Sequence, residues 1–252
     1  MKALFLAALV WVGVAGLAGA QPKVLMVLSN HGELGDTGKD TGFYLSEAAH
    51  PFEVFRDSGF DVVLASPEGG FAPVDPKSLE LEDPGNAAFW KEFGAEEDGV
   101  KGVKDTMGLA AAKVGDYDAI FLAGGHGTMW DFPDSESVKS AVAGVYDSGG
   151  LVAAVCHGPA ALVNVKLKDG EMLVKGKRVA AFTNAEEAAV ELTDAMPFLL
   201  QDRLEEAGAT VETGENFSEK VVTDERLITG QNPASARATA MAVTKAILAR
   251  QE

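Results

Sequence analysis

The chain holds one cysteine, Cys156, inside L-V-A-A-V-C-H-G-P-A-A-L, Leu151 to Leu162. A run of small and β-branched apolar residues stops there at Cys156-His157-Gly158-Pro159. Ala154 two residues before the thiol and Gly158 two residues after it leave room for a sharp strand-to-helix reversal, the turn that lifts a nucleophile above a sheet edge. A helix starting just beyond would aim its free N–H groups and positive dipole end at the sulfur, which favours thiolate, the reactive form. His157 adds an adjacent imidazole and a backbone N–H placed to face an oxyanion. The other reading is a small buried cysteine that closes a core strand. The A-x-C-x-G spacing favours the nucleophile.

A second glycine-rich turn, Gly124-Gly125-His126-Gly127, also follows an apolar strand. Glycine lets a backbone N–H come close to a ligand, so Gly125 is a candidate second oxyanion donor, with a plain βα turn as the alternative. His126 is a candidate substrate contact or a capped loop residue. The pattern is not G-x-G-x-x-G, so no dinucleotide cofactor is expected. His31 follows the first strand near the expected site rim, and His50, before Pro51 in an apolar segment, reads as structural. Four histidines and one cysteine without a tight ligand cluster give no expected metal site.

The elements that must hold these residues alternate along the chain. Apolar runs at Lys23–Ser29, Asp61–Ala65, Ala119–Ala123 and Leu151–Val155 read as strands covered on both faces. Leu45–Ser58, Ser135–Ser148 and Phe198–Ala207 read as helices, each stopped by glycine. Short strands are expected at Arg178–Ala181 and Thr210–Glu212, a hairpin at Val221–Thr223 and Leu227–Thr229, and a closing helix at Pro233–Arg250. Such alternation implies an α/β fold, a mostly parallel central sheet between helix layers, with reactive groups at the carboxyl ends of the strands. Residues 69–114 break the pattern with Pro, Gly, acids and the aromatics Phe71, Phe89, Trp90 and Phe93, and read as a lid-like insertion on the same domain.

Residues 1–20 carry a basic start, an apolar run of about fifteen residues and Ala18-Gly19-Ala20, the form of a cleaved signal peptide. A periplasmic or secreted single domain over residues 21–252 is therefore expected, without stable membrane association after cleavage. With 38 acidic against 21 basic residues and a net charge of −17, nucleic acid is not an expected partner.

Five blocks in order resemble the ThiJ/PfpI superfamily, the class I glutamine-amidotransferase-like proteins: G-F-Y-L-S-E-A-A-H-P-F at Gly42 to Phe52, A-G-G-H-G at Ala123 to Gly127, A-V-C-H-G-P at Ala154 to Pro159, A-F-T-N-A-E-E at Ala181 to Glu187 and I-T-G-Q-N-P-A-S at Ile228 to Ser235. They are most similar to the heat-shock chaperone and glyoxalase III branch. The resemblance implies a flavodoxin-like three-layer sandwich with a nucleophile elbow at Cys156. It implies His157 as the adjacent histidine, Glu187 as the acid that orients it (Glu186 on a one-residue slip) and Glu47 as the acid beside the thiol. It further implies a homodimer and a cofactor-free enzyme that turns 2-oxoaldehydes such as methylglyoxal into 2-hydroxy acids, with deglycase activity on glycated side chains as an extension. A cysteine amidase or peptidase acting on an acyl substrate is the alternative enzyme. A holding chaperone that presents the aromatic insertion is the non-catalytic alternative.

Overall fold

The computed structural model describes residues 21–250, so the expected leader at residues 1–20 lies outside the described residues. In chain order the elements are β1 (Lys23–Val27), α1 (Leu45–Asp57), β2 (Asp61–Ser66), β3 (Gly70–Pro73), α2 (Pro84–Phe93), β4 (Gly94–Glu97), β5 (Val100–Gly108), β6 (Ala119–Leu122) and α3 (Thr128–Asp131). Then follow α4 (Glu136–Asp147), β7 (Leu151–Val155), β8 (Arg178–Val179), α5 (Asn184–Ala189), α6 (Leu200–Glu206), β9 (Thr210–Val211), β10 (Val221–Asp224), β11 (Leu227–Gly230) and α7 (Ala236–Leu248).

The continuous apolar runs are central strands because helices cover both of their faces. In β1, Val24 and Met26 join the core beneath α1 and α7, while Leu25 and Val27 face the layer of α4 and α6. The period-2 alternation of a strand produces this split, and burial on both sides demands apolar residues at every position. The sheet runs β10-β11-β7-β6-β1-β2-β5-β3. All pairings from β11 to β5 are parallel, and β10, β3 and β4 are antiparallel to their neighbours. This is the expected three-layer sandwich, and it brings the carboxyl ends of β1, β6 and β7 side by side.

The segment at 69–114 differs from the expected lid. Its strand β5 joins β2 in parallel at Ala65–Met107 and Ser66–Gly108, and β3 and β4 flank β5, so the insertion widens the sheet. Helix α2 starts at an Asp83 cap with Pro84 in its first turn. It packs on α1, with the Phe89 and Phe93 rings 5.5 and 5.0 Å from Phe52. The aromatics of the insertion are spent on the fold: Phe89 is 2% exposed.

Candidate active site

Strand β7 delivers Cys156 into a left-handed turn with φ of +60°. An L-residue pays about 1–2 kcal/mol for that conformation. The turn is held from both sides: Cys156 N–H donates to Gly230 O on β11 at 2.9 Å, and Cys156 O accepts from Phe182 N at 2.9 Å. A Cβ on Gly158 would stand 2.3 Å from Leu122 O, so the elbow closes against β6 only because residue 158 is glycine.

The element after the elbow is a five-residue 3-10 turn, Gly158–Leu162, in place of the expected α-helix. Its dipole is correspondingly small, and the expectation of a helix-favoured thiolate is corrected. Burial, followed by the neighbouring Glu47 carboxylate, pushes the Cys156 thiol up, while the His157 N–H directed at the sulfur opposes the rise.

Cys156 Sγ lies 3.3 Å from His157 Nδ1, and His157 Nε2 lies 2.8 Å from Glu187 Oε2. The other oxygen of Glu187 is 3.0 Å from His126 Nε2. Burial alone would raise the Glu187 carboxyl, but the bonds from His126 and His157 outweigh it and hold it at about 2. An ionised Glu187 only accepts, so both rings donate through Nε2 and the neutral tautomer leaves His157 Nδ1 a lone pair for the thiol proton. Burial, then His126, pushes His157 down and keeps it neutral. The two imidazole centroids are 4.2 Å apart, and Phe182 covers His157 at 4.4 Å.

Glu186, the other side of the slip, does different work. It forms a capping box with Thr183 at the start of α5, and its Oε1 accepts from Phe217 N and Asn232 Nδ2, both at 2.8 Å. Successive helical side chains point about 100° apart, so the two glutamates cannot share a partner. The T-x-x-E pattern of Thr183 and Glu186 is the sequence signal that separates the two glutamates.

Glu47 sits in the first turn of α1, fully buried, with Oε2 accepting from Gly124 N at 2.8 Å. Its Oε1 has no hydrogen-bond partner among the described residues, and the carboxyl neighbours the Cys156 thiol. Burial raises the carboxyl to about 8, against the opposing effects of Cys156 and the Gly124 N–H, so the group is protonated at neutral pH. Tyr44 N–H donates to Gly124 O at 2.9 Å, and the start of α1 therefore grips the Gly124 residue at both its N–H and its carbonyl. Gly125 adopts φ of +106°. Its carbonyl accepts from Thr128 Oγ at 2.9 Å, and the same hydroxyl is 3.0 Å from His157 O. Thr128, unnoticed in the sequence, thus ties the Gly125 turn to the elbow.

A cavity of about 200 Å³ opens over the thiol, with Gly125, His126, Cys156 and His157 in its lining. Its other side is largely apolar: Phe182, Val190, Leu192, Phe217 and Pro233. From the insertion only Asp75 and Lys77 reach it. His31 does not line it and stacks on Trp130 at 5.0 Å, and His50 pairs with Asp83 at 3.0 Å. Ligand atoms of His126, His157 and Glu187 come within 4.8 Å of one another. The carboxylate there already accepts from both rings, so a cation would have to break both hydrogen bonds and remove both ring protons.

A model of the DJ-1/PfpI family matches residues 40–246. The chain belongs to the DJ-1/PfpI family. Within it, Glyoxalase 3 of Candida albicans is 38% identical over 230 residues, which cover 86% of this chain and 95% of that one. Glutathione-independent glyoxalase HSP31 of Saccharomyces cerevisiae is 32% identical over 242 residues, 88% of this chain and 96% of that one. The X-ray structure of Rapid Encystment Protein 24 KDa from Francisella tularensis superposes with a TM-score of 0.83 at 38% identity, over 90% of this chain and 99% of that one.

The expected export is corrected by these fungal relatives. Their chains are matched over 95–96% of their length, which leaves each on the order of a dozen residues outside the match. That is fewer than the ~15–30 residues of an export leader, so the family comparison lends the periplasmic or secreted location no support.

Proposed function

We propose that the chain is a glutathione-independent glyoxalase, a cofactor-independent lyase that converts methylglyoxal and related 2-oxoaldehydes to 2-hydroxy acids. The observation that carries this is the Cys156 thiol, 3.3 Å from a neutral His157 Nδ1 at a cavity sized for small molecules. Relatives matched over nearly their whole length, named as glyoxalases, support the same reading.

Cys156 Sγ passes its proton to His157 Nδ1 and bonds to the aldehyde carbon, whose oxygen takes up a proton to give a hemithioacetal. Glu187 holds the resulting imidazolium in place. The imidazolium returns its proton to the aldehyde oxygen, and His157, neutral again, or Glu47 in its ionised form then removes the proton left on the carbon. The electron pair forms the enediolate C=C bond and the ketone π pair moves onto oxygen. Reprotonation at the second carbon, with the hydroxyl proton passing to the enediolate oxygen, gives a 2-hydroxyacyl thioester. Water cleaves the thioester, returning the thiol and releasing the 2-hydroxy acid. The N–H groups of Gly125 and His157 are assigned to the oxyanion at the sulfur-bearing carbon, and His126, its Nε2 turned to Glu187, is assigned a packing contact with the substrate from the cavity wall. Glycated side chains, as adducts of the same aldehydes, fall within this chemistry, and a homodimer is part of the reading.

The purified protein is expected to form D- or L-lactate from methylglyoxal with no glutathione present. Release of ammonia or peptide fragments, with no lactate, would transfer the same nucleophile to acyl substrates. Of the aromatics a holding chaperone would present, Phe89 is buried and Phe93 packs on Phe52, which favours the catalytic reading.

A further inference from the structure

The reaction proposed above develops charge at two oxygens. One belongs to the carbon that bonds to Cys156, and Gly125 and His157 N–H groups are assigned to it. The other is the ketone oxygen one carbon further on, which becomes the enediolate oxygen and needs a donor of its own. Few polar side chains in the cavity could supply it. His126 spends its Nε2 proton on Glu187 at 3.0 Å, which leaves a lone pair on Nδ1. Asp75 accepts from Thr41 Oγ at 3.0 Å and Lys77 N at 2.9 Å and offers no proton. Lys77 is exposed, and no hydrogen bond fixes its ammonium among the described residues. The other lining side chains beyond the thiol and His157 are apolar.

Tyr44 remains. It caps the N-terminus of α1, three residues before Glu47, so the phenol and the buried carboxyl share one face of the first turn. Its backbone is fixed by the 2.9 Å bond to Gly124 O, next to the Gly125 turn. The ring is half-buried in the cavity lining with Cys156. We propose that the Tyr44 hydroxyl donates a hydrogen bond to the ketone oxygen of the 2-oxoaldehyde and strengthens it as that oxygen becomes the enediolate. This assignment rests on the glyoxalase reading. Burial, then the acids Glu47 and Glu80, raise the phenol to about 12, so it stays a neutral donor throughout the working range. The proton is shared with the substrate oxygen and not lost: the C–H electron pair forms the C=C bond, the ketone π pair moves to oxygen, and Tyr44 O–H stabilises the negative charge.

The test is Tyr44→Phe, which keeps the ring and removes only the donor. On methylglyoxal, kcat is expected to fall about 10- to 100-fold with KM within about twofold, a donor to a developing oxyanion being worth this or more. The rate of Cys156 alkylation by iodoacetamide is expected to match wild type, because that step makes no enediolate. A kcat within twofold of wild type overturns the assignment, and so does a matching loss in alkylation rate, which would mark a structural role. A larger loss in Lys77→Met would move the donor to Lys77. If the wild-type protein forms no 2-hydroxy acid at all, the glyoxalase reading falls and the Tyr44 role falls with it.

Discussion

Glu47→Gln should make the protein more stable and less active, and both effects follow from one buried carboxyl. In the folded protein burial pushes the Glu47 carboxyl up to about 8, against an ordinary 4.5. Folding therefore binds a proton, and the sign follows from linkage. Stability from this group is full below about pH 4.5, declines as pH rises to about 8, and is flat above that. At ~1.36 kcal/mol per pH unit, the decline sums to about 5 kcal/mol. Glutamine keeps an oxygen for the Gly124 N–H and never ionises, so it escapes this cost. Urea unfolding at pH 4, 6, 7 and 8.5 is the assay. The two proteins should match at pH 4, and the variant should gain several kcal/mol at pH 8.5. Its kcat on methylglyoxal should fall about 100-fold or more if the carboxyl moves a proton in turnover. Parallel stability curves for the two proteins across that range would refute the burial argument.

Further outcomes follow from the same geometry. Glu187→Gln gives one ring a carboxamide N–H₂ to face and breaks the Nε2-donor arrangement, so kcat/KM should drop about 10³- to 10⁴-fold. Because Glu187 is held at about 2, its contribution of about 3 kcal/mol is present above about pH 4.5 and disappears as pH falls through about 2. Acid unfolding of the variant should show a flatter dependence there. Gly158→Ala places a methyl 2.3 Å from Leu122 O and should cost about 1–3 kcal/mol or more in urea unfolding, with loss of thiol reactivity. At φ of +60°, Cys156→Gly should be at least as stable as Cys156→Ala, since glycine relieves about 1 kcal/mol of backbone strain.

The sheet and its main helices are legible in the sequence because their causes are local. Strands β1, β6 and β7, buried on both faces, can hold only apolar residues, and Gly59, Gly149 and Gly208 stop the helices before them. Cys156 is legible for a related reason, since Ala154 and Gly158 are imposed by the turn itself. The widening of the sheet at β5 is not, because V-K-G-V-K-D-T-M-G is half-exposed and lacks a clean alternation. Helix α5 is only six residues long, too short for a periodic signal, and its capping box was its one mark. Glu47 and Glu187 look like surface helix acids until tertiary contacts bury them, so only family resemblance singled them out. Thr128 and Tyr44 act across long sequence separations that no local pattern carries. The thiol's environment is not legible either, because no local pattern tells the five-residue 3-10 element at Gly158–Leu162 from the α-helix expected after the elbow.

The central claim is that Cys156 sulfur carries the aldehyde carbon through turnover. It is tested most directly by lactate formation from methylglyoxal, without glutathione, in wild type beside a folded Cys156→Ala. The account predicts steady turnover in wild type and a loss of at least about 10³-fold in the variant. Turnover that survives intact in Cys156→Ala would contradict it.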